Sequence, residues 1–270
     1  MFHRTQSAFG ISDPSVETWL DAPHAVPGRP LTGQVYLQAG SAAAEISRIV
    51  LSLVTEVEGE HGPGSTAEFF RLVLQQDISV SAGELVILPF QLPVPWETPL
   101  TAVGGSPLPR TAVGLRTELM VSGRPDRDDL DWVQINPMPS QNTVLAAFTQ
   151  LGFSFREVGV ATGRVPELPQ EMGFYQAFAF ASPAPFANRV DEVELIFVPS
   201  EHELCVLLAA DRRGGEFPHG DNAFGHFRLS HQEAQATNWP ALISAWLTLT
   251  AERDQVTPAV PTSSWPKPYA

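Results

Sequence analysis

The sequence predicts an all-β protein with two tandem β-sandwich domains and a C-terminal helix. Apolar residues recur at every second position through many short runs, which is the period of a half-buried strand. Glycine and proline, 20 and 25 of the 270 residues, separate these runs at turns such as Pro27-Gly28 and Gly104-Gly105. Many short strands with frequent turns are typical of sandwiches, and the length suffices for two domains of about 120 residues.

The alternating runs predict the strands of the first domain. The core side of one strand would hold Ile49, Leu51, Leu53 and Val57, with Val50 and Ser52 on its other face. Runs with the same alternation occupy Phe70–Val80, Leu88–Leu92 and Val113–Val121. One of them contains Pro89. Because proline removes a ladder donor, we expect that strand to be an edge strand or to be bulged.

Two prolines in five residues mark the predicted domain boundary. Pro137 and Pro139 favour an extended, stiff connector at Asn136–Ser140. The predicted order is an N-terminal sandwich, a linker, a C-terminal sandwich, a helical segment and a proline-rich, poorly ordered tail, over residues 1–135, 136–140, 141–230, 231–254 and 255–270. Strands of the second sandwich are predicted at Phe153–Val160, Phe174–Ala181, Val193–Val198, Leu204–Ala209 and Phe224–Leu229.

Two helices are expected in the second part of the chain. A short helix would follow the linker, capped by Asn142 or Thr143 and ended by Gly152. Its inward residues would be Val144, Leu145 and Phe148. A longer helix would begin near Pro240, which suits a first helical turn. We expect its apolar face to pack on its own domain, with partner binding as the alternative; the face holds Leu242, Ile243, Trp246, Leu247 and Thr250.

The acidity of the chain excludes several classes of partner. The formal net charge is −14 and the isoelectric point is near 4.8. Nucleic acid and anionic lipid both require a basic surface, so we expect neither as a partner, whereas a neutral or basic protein fits. No stretch approaches the roughly 20 apolar residues of a membrane span. The lone Cys205 lies in an apolar run and no apolar leader is evident, which predicts a buried thiol and a reducing, cytoplasmic location.

No catalytic or cofactor-binding pattern emerges from the sequence. A Gly-x-Ser-x-Gly elbow and a glycine-rich phosphate loop are both absent, so a hydrolase is the weakest hypothesis and no catalytic residue or cofactor is assigned. The acidic run from Asp126 to Asp131 lacks the glycine and glutamate of an EF-hand and predicts a solvated loop. Metal binding is disfavoured because no HExxH motif or tight pair links His202, His219, Asp221, His226 and His231.

Several motifs follow one another in a recognisable order through residues 1–230. They are Val26–Leu37, Ile78–Glu84, Leu88–Pro93, Thr117–Leu119, Asp126–Asp131, Leu151–Arg156, Asp191–Phe197 and Asp211–Gly214. Together they resemble the bacterial sporulation-control (stage-zero M) family of arrestin-like proteins. The resemblance implies two arrestin-like β-sandwich domains in tandem, no catalytic machinery, and regulation through protein contacts in sporulation or in other cell-cycle or cell-envelope events. It carries over no functional residues.

Two charged clusters suggest a hypothesis about the domain interface. In the first domain the cluster is Asp126, Asp128 and Asp129, and in the second it is Arg212 and Arg213. Arginine forks match carboxylates, so these clusters could fix the relative orientation of the domains or contact a partner.

Two functions of different classes remain open. The first is a non-enzymatic regulatory adaptor that binds protein partners through sheet edges and loops. The second is a β-sandwich module that binds a small ligand, a glycan or calcium. Exposed sheet edges would also permit a homodimer.

Overall fold

The computed structural model describes residues 13–59, 62–122, 126–166, 168–212 and 223–252. The chain folds into a mostly β, arrestin-like architecture with helices toward its C-terminal end, which confirms the predicted fold class. In chain order the elements are β1 (Ser15–Leu20), β2 (His24–Ala25), β3 (Pro30–Gln38), β4 (Ala44–Gly59), β5 (Gly62–Val80), β6 (Leu85–Pro93), β7 (Ala102–Val103), β8 (Ser106–Pro107), β9 (Val113–Val121), β10 (Arg127–Trp132), β11 (Gln134–Ile135), α1 (Pro139–Gln150), β12 (Ser154–Thr162), β13 (Phe174–Ala181), β14 (Val190–Pro199), β15 (Glu203–Arg212), β16 (Ala223–Ser230), α2 (His231–Ala236) and α3 (Trp239–Glu252).

The first half is a sandwich of two antiparallel sheets. One sheet has the strand order β1-β3-β6, and the other has the order β10-β9-β4, with β5 on the far side of β4. Their inner faces share one apolar core, to which β3 contributes Val35 and Leu37 and β4 contributes Ile49, Leu51 and Leu53. None of these five side chains is exposed. Each such burial favours folding by about 1.5–3 kcal/mol, so this alternation accounts for much of the drive to form the sandwich.

Strand β4 is buried on both of its faces. The sequence predicted a half-buried strand, but Val50 and Ser52 are as inaccessible as the inward residues. The prediction was wrong because β4 is central, with β5 along one edge and β9 along the other. Side chains of these neighbouring strands cover its outer face; Arg71 of β5, opposite Ser52, donates a hydrogen bond across β4 to Glu118 of β9 at 2.8 Å.

Strand β6 lies at the edge of its sheet, as its prolines predicted. It pairs only with β3 among the described strands, and Pro89 stands opposite Gln34. The amide of Ala39 donates to the Glu84 carbonyl at 2.9 Å. The backbone N–H and C=O groups of even-numbered residues in β6 therefore point toward β3, and those of odd-numbered residues point toward the free edge. Pro89 and Pro93 therefore remove two amide donors from the free edge of the sheet.

The second half is a five-stranded antiparallel meander with the order β12-β13-β14-β15-β16. Helices α1 and α3 pack on one face through residues such as Phe148, Trp239 and Ile243, all almost fully buried. Val165 and Leu168 cover part of the other face, where they pack against a cluster that includes Cys205. Within the described residues, helices thus form the layer opposite this sheet.

The helices confirm most of their predictions and correct one. Helix α1 buries Val144, Leu145 and Phe148 and is followed by Gly152 at φ +82°, as expected. It begins earlier than predicted, with Met138 rather than Asn142 or Thr143 as its N-cap. Proline fits the first helical position because its missing N–H would be unsatisfied there, so Pro139 starts the helix instead of extending a linker. The apolar face of α3 packs on the core. No described helix is long and apolar enough to cross a membrane.

The acidic run forms a strand, so the predicted solvated loop was wrong. Residues Arg127–Trp132 pair with β9 along their whole length, and Asp128 points outward while Asp129 points toward β1. The Asp129 carboxylate accepts a hydrogen bond from the Thr18 amide at 2.9 Å. Beside it, the Thr18 and Thr117 hydroxyls lie 2.6 Å apart. Alternation of acidic with apolar residues fits a strand whose acidic side chains reach the neighbouring sheet.

We predict that Asp129→Ala destabilises the fold whereas Asp128→Ala does not. The first change leaves the partly buried Thr18 amide without its charged acceptor, which should cost about 2 kcal/mol in the free energy of unfolding. The second removes an exposed charge of the same strand and should stay within about 0.5 kcal/mol of the wild type. Urea unfolding of both variants makes the comparison, and equal losses would contradict it.

Candidate functional site at the junction of the two halves

A short segment of the first half makes hydrogen bonds to the second half. This strap, residues 94–101, follows β6 and contains Pro95 and Pro99. It is anchored to the first half where the Val94 amide donates to the Arg29 carbonyl and the Thr101 amide donates to Ile135, both through the backbone. The prolines restrict the backbone between these anchors. The strap therefore presents its side chains to the second half in a restricted geometry.

The carboxylate of Glu97 binds the backbone of the second half. Its two oxygens accept hydrogen bonds from the Glu171 amide at 2.7 Å and the Met172 amide at 3.0 Å. Burial raises the pKa of the Glu97 carboxyl above its ordinary value, and the two amide bonds and Arg164 oppose that rise. Removing the Glu97 carboxylate from water is therefore unfavourable, and the two amide hydrogen bonds hold it in place.

A glutamine makes a second contact from the opposite side. The side-chain amide of Gln176, on β13, pairs with the backbone of Leu100 in the strap, where its oxygen accepts from the Leu100 amide at 2.8 Å and its nitrogen donates to the Leu100 carbonyl at 2.7 Å. This arrangement copies one rung of a β-ladder. Gln176 and Glu97 together satisfy backbone groups that would otherwise be left unpaired where the two halves meet.

A histidine and a tryptophan complete the polar part of the junction. Trp96 stacks on His231 with ring centroids 5.8 Å apart and planes inclined by 26°. The Nε2 of His231 lies 2.9 Å from the Ser200 carbonyl, which can only accept, so Nε2 carries a proton. The Nδ1 lies 2.8 Å from the Ser140 hydroxyl. Both ring nitrogens are engaged, which leaves neither available to a metal in this arrangement.

Apolar contacts join the halves next to the strap. Val57, Val160 and Phe174 are buried together, and Phe69 meets Phe174 edge to face at 5.7 Å. Strand β4 continues past the end of β9 to form a bridge with β12. The largest buried cluster runs without interruption from Val16 in β1 into α3. The junction is therefore a packed interface with polar contacts at its rim.

An open groove of about 610 Å³ lies above these contacts. Phe69, Trp96 and Met172 supply apolar surface, and Arg29 and Glu171 stand among the lining residues. A groove of this size and lining can take an extended peptide or a small apolar ligand.

The acidic residues singled out from the sequence lie away from the junction contacts. Asp126 precedes β10, and Asp128 and Asp129 lie within it. Arg212 ends β15, and Arg213 lies outside the described residues. In the sheet order, five strands separate β10 from β15. Asp129 instead contacts β1, where it accepts the hydrogen bond from the Thr18 amide. The proposed pairing of the two clusters remains a prediction.

The histidines show a similar division. His202 follows β14, His226 lies on β16 beside the Phe224 ring, and His231 belongs to the junction. His219 and Asp221 lie outside the described residues. Among the residues that the structure describes, no three His, Cys, Asp or Glu side chains converge in a geometry suited to a metal.

Sequence reasoning missed Glu97 and Gln176 and considered His231 only as a metal ligand. These three residues have no common motif, and their partners are mostly backbone atoms. One signal was available, because Glu97 is the only charged residue of the strap and lies between Pro95 and Pro99. The pattern could not say which amides would meet it.

We predict that Gly28→Ala disturbs the junction and that Gly83→Ala does not. Both glycines have positive φ, +76° and +72°, so each substitution carries a backbone cost of about 1–2 kcal/mol. A Cβ at Gly28 would in addition come within 2.1 Å of the Trp96 ring, whereas nothing lies within 4 Å of one at Gly83. The Gly28 variant should therefore lose about 1–3 kcal/mol more than the Gly83 variant. Denaturant unfolding measures the difference, and equal losses would show that Trp96 moves aside freely.

We predict that Glu97→Gln alters the pH dependence of stability. The folded state raises the pKa of Glu97, so it retains the proton longer than the unfolded chain as pH rises from 4.5. The contribution of Glu97 to stability therefore falls with rising pH in the window just above 4.5, and the variant should lack this fall. Unfolding free energies of both proteins across that window, with Glu201→Gln as an exposed-site control, make the comparison. Parallel curves for wild type and Glu97→Gln would sink the prediction.

Comparison with known proteins shows where this architecture occurs. The family model described as SpoOM protein matches residues 2–214. The chain is 29% identical over 218 residues to the sporulation-control protein spo0M of Bacillus subtilis, covering 78% of this chain and 81% of that protein. It also resembles the crystal structure of Spo0M from Bacillus subtilis, with a TM-score of 0.76, 25% identity, and coverage of 89% of this chain and all of that one. The motif order, the fold and the match over most of the chain agree, and the protein belongs to the SpoOM family of sporulation-control proteins.

Proposed function

We propose that this protein is a non-enzymatic regulator that acts by binding other proteins in bacterial developmental or cell-cycle control, in the cytoplasm. Its family contains a sporulation-control protein, and the B. subtilis relative carries that name. One observation of this chain carries the proposal further. The groups at the junction best suited to chemistry already have their polar atoms engaged: those of Glu97 join the two halves, and those of His231 bond within the second half.

A carboxyl with a raised pKa in a cleft is a common sign of catalysis. Here the Glu97 oxygens face two backbone amides, and the surroundings of His231 are a hydroxyl, a carbonyl and an indole ring. Because their polar atoms are already engaged, these groups are better suited to holding the junction in place than to proton transfer. A scaffold of two units held at a set angle suits a protein that presents surfaces to partners.

The charge of the chain narrows the class of partner. With a net charge of −14, association with a basic surface is favoured and its rate should fall as salt rises. The buried Cys205, whose pKa is raised by burial, is a core residue and fits a reducing compartment.

Affinity capture from the native cytosol tests the proposal. The tagged full chain is used as bait at about 50 and 150 mM salt, and retained proteins are identified by mass spectrometry and then purified for titration. We expect a saturable, near-stoichiometric partner that binds more weakly at the higher salt. The Arg212→Ala/Arg213→Ala variant, run in parallel, tests whether that pair belongs to the contact. No saturable partner, together with a rise in melting temperature on adding calcium or sugars, would favour the ligand-binding module instead.

A further inference from the structure

The outer face of the sheet β1-β3-β6 carries an exposed apolar surface. Trp19, Leu85 and Ile87 are 52%, 49% and 46% exposed, although each is large and hydrophobic. All three lie on the side of the sheet away from the core, because the alternate positions Leu20, Val86 and Leu88 are partly buried and pack against the core. Tyr36 lies between them, with its ring 5.4 Å from that of Trp19 and its backbone opposite Ile87. Apolar residues clustered in this way are typical of contact surfaces, whereas single exposed ones are not.

The same sheet is nearly free of charge. Strands β1, β3 and β6 contain one charged residue, Glu17, and no lysine or arginine. Glu17 stands opposite Tyr36 and so borders the apolar residues. Depletion of charge at the centre with charge at the rim is the usual composition of a protein interface.

The free edge of this sheet is a poor template for an added strand. Pro89 and Pro93 occupy outward-facing positions of β6, so a partner strand would find no donor at either. Natural proteins use edge prolines in this way to prevent strand pairing. A partner is therefore expected to cover the face, through side chains, and not to extend the sheet.

We infer that the outer face, centred on Trp19, Tyr36, Leu85 and Ile87, is a docking surface for a protein partner whose contact region is apolar at its centre and rich in lysine or arginine at its rim. The inference rests on the proposed function and specifies its interaction surface. A second copy of this chain is disfavoured because it would oppose two sheets whose strands carry a carboxylate and no lysine or arginine, on molecules of net charge −14. An anionic membrane is disfavoured by the same repulsion.

A defined probe tests the chemistry of this surface directly. The probe is a labelled 18-residue peptide of leucine and lysine that forms an amphipathic helix, and its counterpart has glutamate in place of lysine. Binding to the full chain is measured by fluorescence anisotropy. We expect the lysine peptide to bind and the glutamate peptide not to bind. Trp19→Thr/Ile87→Thr should weaken binding about tenfold or more, because it removes central apolar anchors while retaining β-forming residues.

A matched variant separates this surface from general stickiness. Phe155→Thr/Val73→Thr removes an aromatic and a β-branched residue that are 43% and 41% exposed on other strands. It should change the affinity less than twofold. Glu17→Gln should weaken the salt dependence of binding while leaving the apolar contribution in place. Melting temperatures of all variants establish that each is folded. Equal weakening by both double variants, or none by the first, would overturn the inference.

Further arms identify the alternatives. Sedimentation equilibrium that shows dimers in the wild type and monomers in Trp19→Thr/Ile87→Thr would overturn the inference in favour of a second copy. Binding to phosphatidylcholine vesicles lost in the same variant would do so in favour of lipid. Finally, if Trp19→Thr/Ile87→Thr captures the same partner as well as the wild type does, that result overturns the assignment of the docking surface but leaves the proposed function standing. If the wild type captures no partner, the function fails, and the peptide titration still judges the surface independently.

Discussion

The structure depends on how a partly buried carboxylate is satisfied where the two halves meet. Glu97 is drawn out of water by the packing around it, which by itself disfavours its charge. Two backbone amides from the second half compensate, and they also fix the distance between the strap and residues 171–172. Because the Glu97 carboxylate is partly removed from water, its two hydrogen bonds matter for stability. A displaced carboxylate would leave two amides and a charge unpaired. Gln176 repeats the same logic with a neutral amide.

A continuous core is what makes such polar contacts effective. Strand β4 runs through the centre of the first half and reaches β12 in the second, so it belongs to both units. Its burial on both faces follows from this position. Phe69 and Phe174 pack edge to face beside it, and their contact adds apolar packing between the halves next to the strap. Motion of one half against the other would have to break aromatic packing and several backbone hydrogen bonds together.

At the sheet β1-β3-β6 the edge is protected, whereas the outer face is open to contact. The edge of β6 is protected by prolines, while the adjoining face is left apolar and nearly uncharged. This region therefore permits contact through side chains on the face and disfavours the addition of a strand at the edge. Together with the net charge of −14, it favours partners that bring apolar side chains and cations rather than a free strand.

The sequence by itself determined the class of structure and most of its elements. Period-two alternation placed the strands, Pro89 marked an edge, Gly152 ended a helix, and the apolar face of α3 was correctly expected to pack on the core. These features are local, because each follows from the preferences of neighbouring residues. What only the tertiary structure decided is which distant groups meet: that Asp129 reaches Thr18, that Glu97 meets two amides some 75 positions away, and that β4 is central. Long-range partners of this kind are backbone atoms common to every residue, so no pattern of side chains announces them.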